Sequence, residues 1–175
     1  MTDPMRELKI RAELLHKKAQ AGDTRALARL QVLPELRRAP AEPLATLVRR
    51  RHCLTAIAVE LGFASWPEMK AVLTGKAHSG CFGSLLCPAR CGTHLNNWCK
   101  IHSEAAAIRK SGGGYLLAYR NPYLVVDRYY IESLGLDPDD PDWKALGFDW
   151  ARPLDVAART RLCARLVAAL PREAA

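Results

Sequence analysis

No uninterrupted apolar run in the 175 residues approaches the roughly 18 that a membrane-crossing helix requires, so a helical membrane span is excluded. The opening, MTDPMRELK, is charged and lacks the apolar stretch of a secretory signal, which makes the expected compartment the cytoplasm. There is no GxSxG, no HExxH and no dinucleotide fingerprint. The glycines of SGGGYLL do not form a phosphate loop, which needs GxxxxGK[ST] between a strand and a helix; here they end a helix and admit a strand. There is no Cys-x-x-Cys, so none of the common zinc-finger or knuckle spacings is present. Each of these absences removes a well-defined class of enzyme or metal module.

What is present is a basic chain of ordinary globular composition, 49% hydrophobic and 25% charged, with a formal net charge of +8. The charge is uneven. Residues 1–79 carry 14 Lys and Arg against 8 Asp and Glu, while residues 80–175 carry 12 against 10. A basic half suits an anionic partner, nucleic acid first among them, although a solvated arginine-rich surface gives the same count.

Sequence signals give a helical first half. Asp3 caps, Pro4 fits the first turn and Gly22 ends a helix with Met5, Leu8, Leu15 and Ala19 on one face. Asp23 or Thr24 starts a second helix running to about Leu30. Pro40 and Pro43 bracket a loop, and a single helix is expected from about Leu44 to Leu61, with Leu47, Leu54, Ile57, Ala58 and Leu61 as its stripe. Gly62 takes the left-handed position after it and Phe63 packs back. Ser65 and Glu68 then box the start of a further helix that ends near Gly75. Ala58, Gly62 and the helix after them resemble the core of a helix-turn-helix unit, with Arg49, Arg50 and Arg51 placed to meet phosphates. A plain packing corner with Trp66 in the core explains the same residues and is the commoner arrangement.

In the second half, GKAHSG reads as a linker and Cys81–Cys99 as mostly loop. Ser103 is expected to cap a helix over Glu104–Lys110. YLLAY and YLVVD flank Arg120-Asn121-Pro122 as a β-hairpin. Asp127, then Asp139 or Asp140, then Asp155 cap three more helices, the last with Leu162, Cys163, Leu166, Val167 and Leu170 on one face and Arg161 and Arg165 on the other. The expected fold class is α+β, mainly α: a helical module over 1–75, a Cys/His-rich connection over 76–102, and a smaller unit over 103–175 with one β-hairpin and short helices.

The run from Leu8 through AGDTRALARL to RRHCLTAIAVELGFASWPEMKAVL resembles a small helical module of bacterial proteins, in some of which it precedes ankyrin repeats. The resemblance covers about residues 5–75 and is most specific at GFASWPEMK; no ankyrin repeat follows here. The second half, with GGYLLAYR and LGLDPDDPDW, is similar to another bacterial family, in which an aromatic residue stands where this chain has Cys87. Both resemblances imply architecture and carry no activity.

Chemistry concentrates first in Cys81–His102. Cys81, Cys87, Cys91 and Cys99, with His94 and His102, offer enough thiolate and imidazole for a tetrahedral zinc or iron site, or for thiol redox chemistry. Buried, inert cysteines account for the same residues, and Cys53 and Cys163 on apolar helix faces are read that way. Asp137, Asp139, Asp140 and Asp142 are interrupted by Pro138 and Pro141, so they read as exposed caps and turns and not as a calcium loop. Tyr115, Tyr119, Arg120 and Tyr123 are a candidate ligand pocket around the hairpin. The leading expectation is a non-enzymatic binding protein that takes nucleic acid or another anionic partner through Arg49, Arg50, Arg51 and Lys70. The alternative is a metal or thiol centre at Cys81–His102, and a protein partner is the third reading.

Overall fold

The computed structural model describes residues 3–37, 41–76, 82–120 and 122–171, and of 41–43 the backbone only. The first helix, α1 (Pro4–Gln20), starts where the sequence places it, with the Asp3 carboxylate accepting the Met5 N–H at 2.9 Å. Met5, Leu8, Ala12, Leu15 and Ala19 form its buried stripe. Asp23 caps α2 (Thr24–Leu30) through the Ala26 N–H at 2.8 Å.

The single helix expected over 44–61 is two helices. These are α3 (Ala41–Leu47), with Pro43 in its first turn, and α4 (Arg50–Glu60). Arg49 between them is extended, at φ −118 and ψ 155. Side chains stand in for the helical hydrogen bonds lost at the break. His52 Nδ1 accepts the Arg49 N–H at 3.1 Å, and His16 Nε2 lies 3.3 Å from the Val48 carbonyl. A continuous apolar period does not register such a break.

After α4 the chain turns as expected. Gly62 has φ +82, and the N–H groups of Gly62 and Phe63 return to the Val59 and Ala58 carbonyls, each at 2.9 Å. Ser65 Oγ caps α5 (Trp66–Leu73), and the Glu68 carboxylate reaches back to the Ala64 N–H at 2.7 Å. Met69 fills the core position expected of Trp66, which is only half-buried.

The segment read as mostly loop contains a short 3-10 helix (Ala89–Cys91) and a strand, β1 (Asn97–Cys99). Helix α6 (His102–Gly112) begins ahead of Ser103, with Ile101 at its N-cap and no side-chain cap. The expected hairpin is β2 (Tyr115–Ala118) against β3 (Tyr123–Val126), paired Tyr115 with Val126 and Ala118 with Tyr123. β1 pairs with the other edge of β3, giving a three-stranded antiparallel sheet in the order β1-β3-β2. The sheet is buried on both faces: Leu117, Leu124 and Val126 enter the main core, while Cys99, Leu116 and Val125 pack with Ala105 of α6. That double burial explains why strand alternation is nearly invisible in the sequence.

Helices α7 (Arg128–Ser133), α8 (Pro141–Ala145) and α9 (Val156–Ala169) complete the chain, each capped by the aspartate that precedes it. The fold class is α+β, mainly α. One buried cluster runs from Met5 to Val167 and includes residues on both sides of positions 75 and 102. Phe82, Tyr115, Trp143 and Trp150 are its aromatic centre, with ring centroids 4.8 to 5.6 Å apart along the chain of contacts. Arg11 is buried against the end of α9. It pairs with Glu7 at 3.0 Å and donates to the Val167, Leu170 and Pro171 carbonyls at 3.1 to 3.3 Å.

The two halves meet backbone to backbone. The Ser84 N–H donates to the Leu61 carbonyl at 2.8 Å, and a methyl group on Gly83 (φ +58) would overlap that same carbonyl oxygen. Gly83→Ala should therefore destabilise the protein by about 2–4 kcal/mol in urea unfolding. Gly22→Ala, also left-handed at φ +80 but in open space, should cost about 1 kcal/mol. Equal costs for the two variants would show that the close approach at Gly83 does not matter.

Candidate functional site

The break before α4 decides where the arginines sit. Because Arg49 is the N-cap, Arg49, Arg50 and Arg51 cluster at the start of the helix and are not spread along its length. All three are exposed, and the first turn of α4 contains no acidic residue. The unpaired N–H groups there already carry partial positive charge, and cations beside them are unfavourable. Arg49 and Arg50 have no side-chain ion pair among the described residues. Lys70 is exposed in the last turn of α5, on a different helix from the arginines.

His52 underlies this cluster and was not singled out by sequence. Its ring is buried, with Nδ1 accepting from Arg49 and Nε2 lying 3.1 Å from a Glu35 carboxylate oxygen. An imidazole that accepts at Nδ1 and faces a carboxylate at Nε2 is the neutral Nε2–H tautomer. The 3.3 Å approach of Arg51 Nε to the same Nε2 is then a contact between two donors. Burial pulls the His52 pKa below 6.5; Glu35 opposes this, and Arg51, Arg49 and His16 add to it.

The Cys/His segment divides between two places. Cys87 and Cys91 lie beside the Tyr130 hydroxyl, which donates to the Leu86 carbonyl at 2.8 Å. Burial foremost, and then these thiols, push the Tyr130 pKa up; burial likewise raises Cys91. His94 packs edge-on to Tyr130 at 5.3 Å, with Nε2 2.9 Å from Ser133 Oγ. Since that hydroxyl already donates to the Tyr129 carbonyl, His94 is the donor. Arg90 donates to the Ser133 and Leu134 carbonyls at 2.8 and 3.3 Å, closing the end of α7. Cys99 and His102 have other neighbours. Cys99 is buried under α6, where burial raises its pKa, and His102 Nε2 sits 2.6 Å from Asp149 Oδ2 with its ring edge-on to Tyr123 at 5.5 Å. Cys81 falls outside the described residues; among those described, no three His, Cys, Asp or Glu side chains are grouped to hold a metal ion. Burial pushes the helix-face thiols of Cys53 and Cys163 up to about 11 and about 12.

The aromatic group does not gather into one pocket. Tyr115 is a core residue, packed against Trp143 and Phe148 with its hydroxyl bound to the Pro138 carbonyl at 2.8 Å. Tyr119 is half-buried between Trp98 and the Arg120 guanidinium, which lies 5.3 Å from its ring centroid. Tyr123 points to the opposite sheet face from Tyr115 and reaches a cavity beside Arg152 and Arg159.

Of the four aspartates, Asp140 caps α8 and Asp137 closes a turn by accepting the Asp139 N–H, while Asp139 pairs with Arg128; Asp140 and Asp142 are buried, contrary to the exposed reading. Asp142 is buried on α8, takes Arg161 in a two-point contact and receives Arg165 at 2.6 Å; Arg165 also meets Asp140 at 3.0 Å. The Arg161 hydrogen bond holds the Asp142 carboxyl below the usual range, against the effect of burial. The apparent solvent face of α9 is thus clamped to α8, a pairing between residues 19 and 23 apart that local pattern does not disclose.

His52 yields a pH signature. Its folded pKa is lower than its unfolded one, so its neutral form contributes stability that is complete above about 6.5 and lost as pH falls through the folded value. Urea unfolding should show stability declining on acidification from about pH 6.5, and His52→Gln should flatten that slope; an identical slope in the variant would remove His52 as its source. No protein-family profile, curated protein or solved structure matches this chain.

Proposed function

We propose that the protein is a non-enzymatic cytoplasmic binding protein whose basic helical half takes an anionic partner, nucleic acid, at the start of α4. The observation that carries this reading is the placement of Arg49, Arg50 and Arg51 together on the positive end of a helix with no acidic residue in its first turn. Phosphates there would meet both the guanidinium groups and the free N–H groups of the helix, and would relieve the mutual repulsion of the cluster. Such contacts position a nucleic acid without reading its bases. Among the described residues no helix is long and apolar enough to cross a membrane.

Binding to labelled duplex and single-stranded nucleic acid should weaken steeply with salt, and Arg49→Gln with Arg50→Gln should lower the magnitude of the log–log slope by about two. The His52 imidazole, titrated by NMR, should show a higher pKa in the complex because bound phosphate offsets the arginines. An affinity unchanged between low and moderate salt, or unchanged by the double variant, would sink the proposal.

A second reading, thiol redox chemistry, is supported by the position of Cys87 and Cys91 at the Tyr130 hydroxyl. It requires an accessible thiol, and Cys87 is half-buried whereas Cys53, Cys91, Cys99 and Cys163 are buried. In a Cys81→Ser background a disulfide reagent should label Cys87 well before the other four, as read by peptide mass mapping. Uniformly slow labelling would leave the reading without a reactive group.

A further inference from the structure

The buried arginines of this protein are treated unequally. Arg11 has the Glu7 carboxylate and three carbonyls, whereas Arg159, 6% exposed, has a single hydrogen bond, from Nη1 to the Trp150 carbonyl at 3.1 Å. Its guanidinium lies 5.2 Å from the centroid of the Phe82 ring. No carboxylate pairs with it among the described residues. A guanidinium has five N–H donors and stays charged, so most of its donors are unused and its charge is uncompensated in a region of low dielectric. Trp150, which supplies that acceptor, has its own ring N–H buried without a partner among the described residues. The neighbourhood therefore holds more donors than acceptors.

Arg159 lines a cavity of about 540 Å³, together with Tyr123, Arg152, Ala151, Pro153 and Val156. Arg152 at its edge is exposed, and its side chain has no partner among the described residues, although its backbone N–H is fixed to Asp149 Oδ1 at 2.9 Å. The nearby acids are engaged elsewhere. Asp149 divides its two oxygens between that N–H and His102, and Asp155 accepts the Ala157 N–H at the start of α9. The His102 ring, held by Asp149, packs on Tyr123, which also lines the cavity. The cavity thus presents two cations, a phenol and a short aliphatic wall, with no acidic group among its described lining residues.

We infer that this cavity is a binding site for a small organic anion, whose carboxylate or phosphoryl group is held by Arg159 and Arg152 and whose compact aliphatic part lies against Ala151, Pro153 and Val156. An oxyanion there would supply the acceptors that Arg159 lacks, and the guanidinium fork matches either group. The site is separate from Arg49–Arg51 and does not rest on the nucleic-acid reading.

Calorimetric titration of the full chain with inorganic phosphate and with butyrate tests the inference and distinguishes the two headgroups. At least one probe should bind with a Kd of about 1 mM or tighter and raise the melting temperature. Arg152→Gln, at an exposed position, and Arg159→Met should each weaken binding roughly tenfold or more. Arg159→Met without anion should retain the wild-type circular dichroism and melting temperature, because it removes a desolvated charge that lacks a counter-ion. Arg49→Gln with Arg50→Gln should bind both probes as the wild type does. No saturable binding of either probe, or affinity unchanged in Arg152→Gln, would overturn the inference. Loss of binding in Arg49→Gln with Arg50→Gln would overturn it as well, by moving the anion to α4.

Discussion

The hydrogen bond from the Ser84 N–H to the Leu61 carbonyl is the joint on which the second half of the structure hangs. Two left-handed glycines, Gly62 and Gly83, face each other across it, and a side chain on either would crowd the opposing backbone. With the backbones in contact, Phe82, Leu85 and Leu86 drop into the core beside Phe63. Phe82 then carries both Trp150 on its edge and the Arg159 guanidinium above its ring. The helical first half is thereby joined, through one close approach, to the aromatic centre and to the Arg159 guanidinium on α9. Burial alone would tolerate several arrangements of these apolar groups; the glycine contact selects one.

Electrostatics then divides the arginines into three kinds. Arg11, Arg161 and Arg165 are structural: each meets a carboxylate, and Arg11 also closes the carbonyl end of a helix. Arg49, Arg50 and Arg51 are exposed at a helix end that repels them. Arg159 is neither, being enclosed and without an acid among the described residues. The net charge of +8 therefore understates the differences. That figure counts every carboxylate against a cation, whether the two meet or not, and does not separate a clamped pair such as Arg161 and Asp142 from the exposed run Arg49–Arg51.

What could be read from the sequence was local. Caps at Asp3, Asp23, Ser65, Asp127, Asp140 and Asp155 set helix starts, because a side-chain oxygen and an N–H two or three residues on suffice to define them. The Gly62 turn and the hairpin were legible for the same reason. The break at Val48–Arg49 was not, since it depends on His16, which lies 32 residues from Val48. β1 was hidden because three residues give no period and its partner lies beyond α6. The candidate sites followed the same division. The arginine run is visible as a run, but its position at a helix start required the structure. His102 was named as a metal ligand, yet its partner Asp149 is 47 residues away. Arg159 shares α9 with Arg161 and Arg165, and only burial separates it from them.

The contact of Arg11 with the Pro171 carbonyl spans 160 residues. During synthesis at roughly 5–20 residues per second, α1 leaves the ribosome about 10–30 s before the end of α9 exists to receive it. Over that interval Arg11 has only Glu7, and the part of α1 that α9 will cover faces solvent or a chaperone. The helical half can assemble meanwhile, but its seal comes with the last turn of the last helix. Loss of the last turn of α9 would leave Arg11 with Glu7 alone and open an apolar seam along the first helix, a state more readily recognised by proteases than the folded protein.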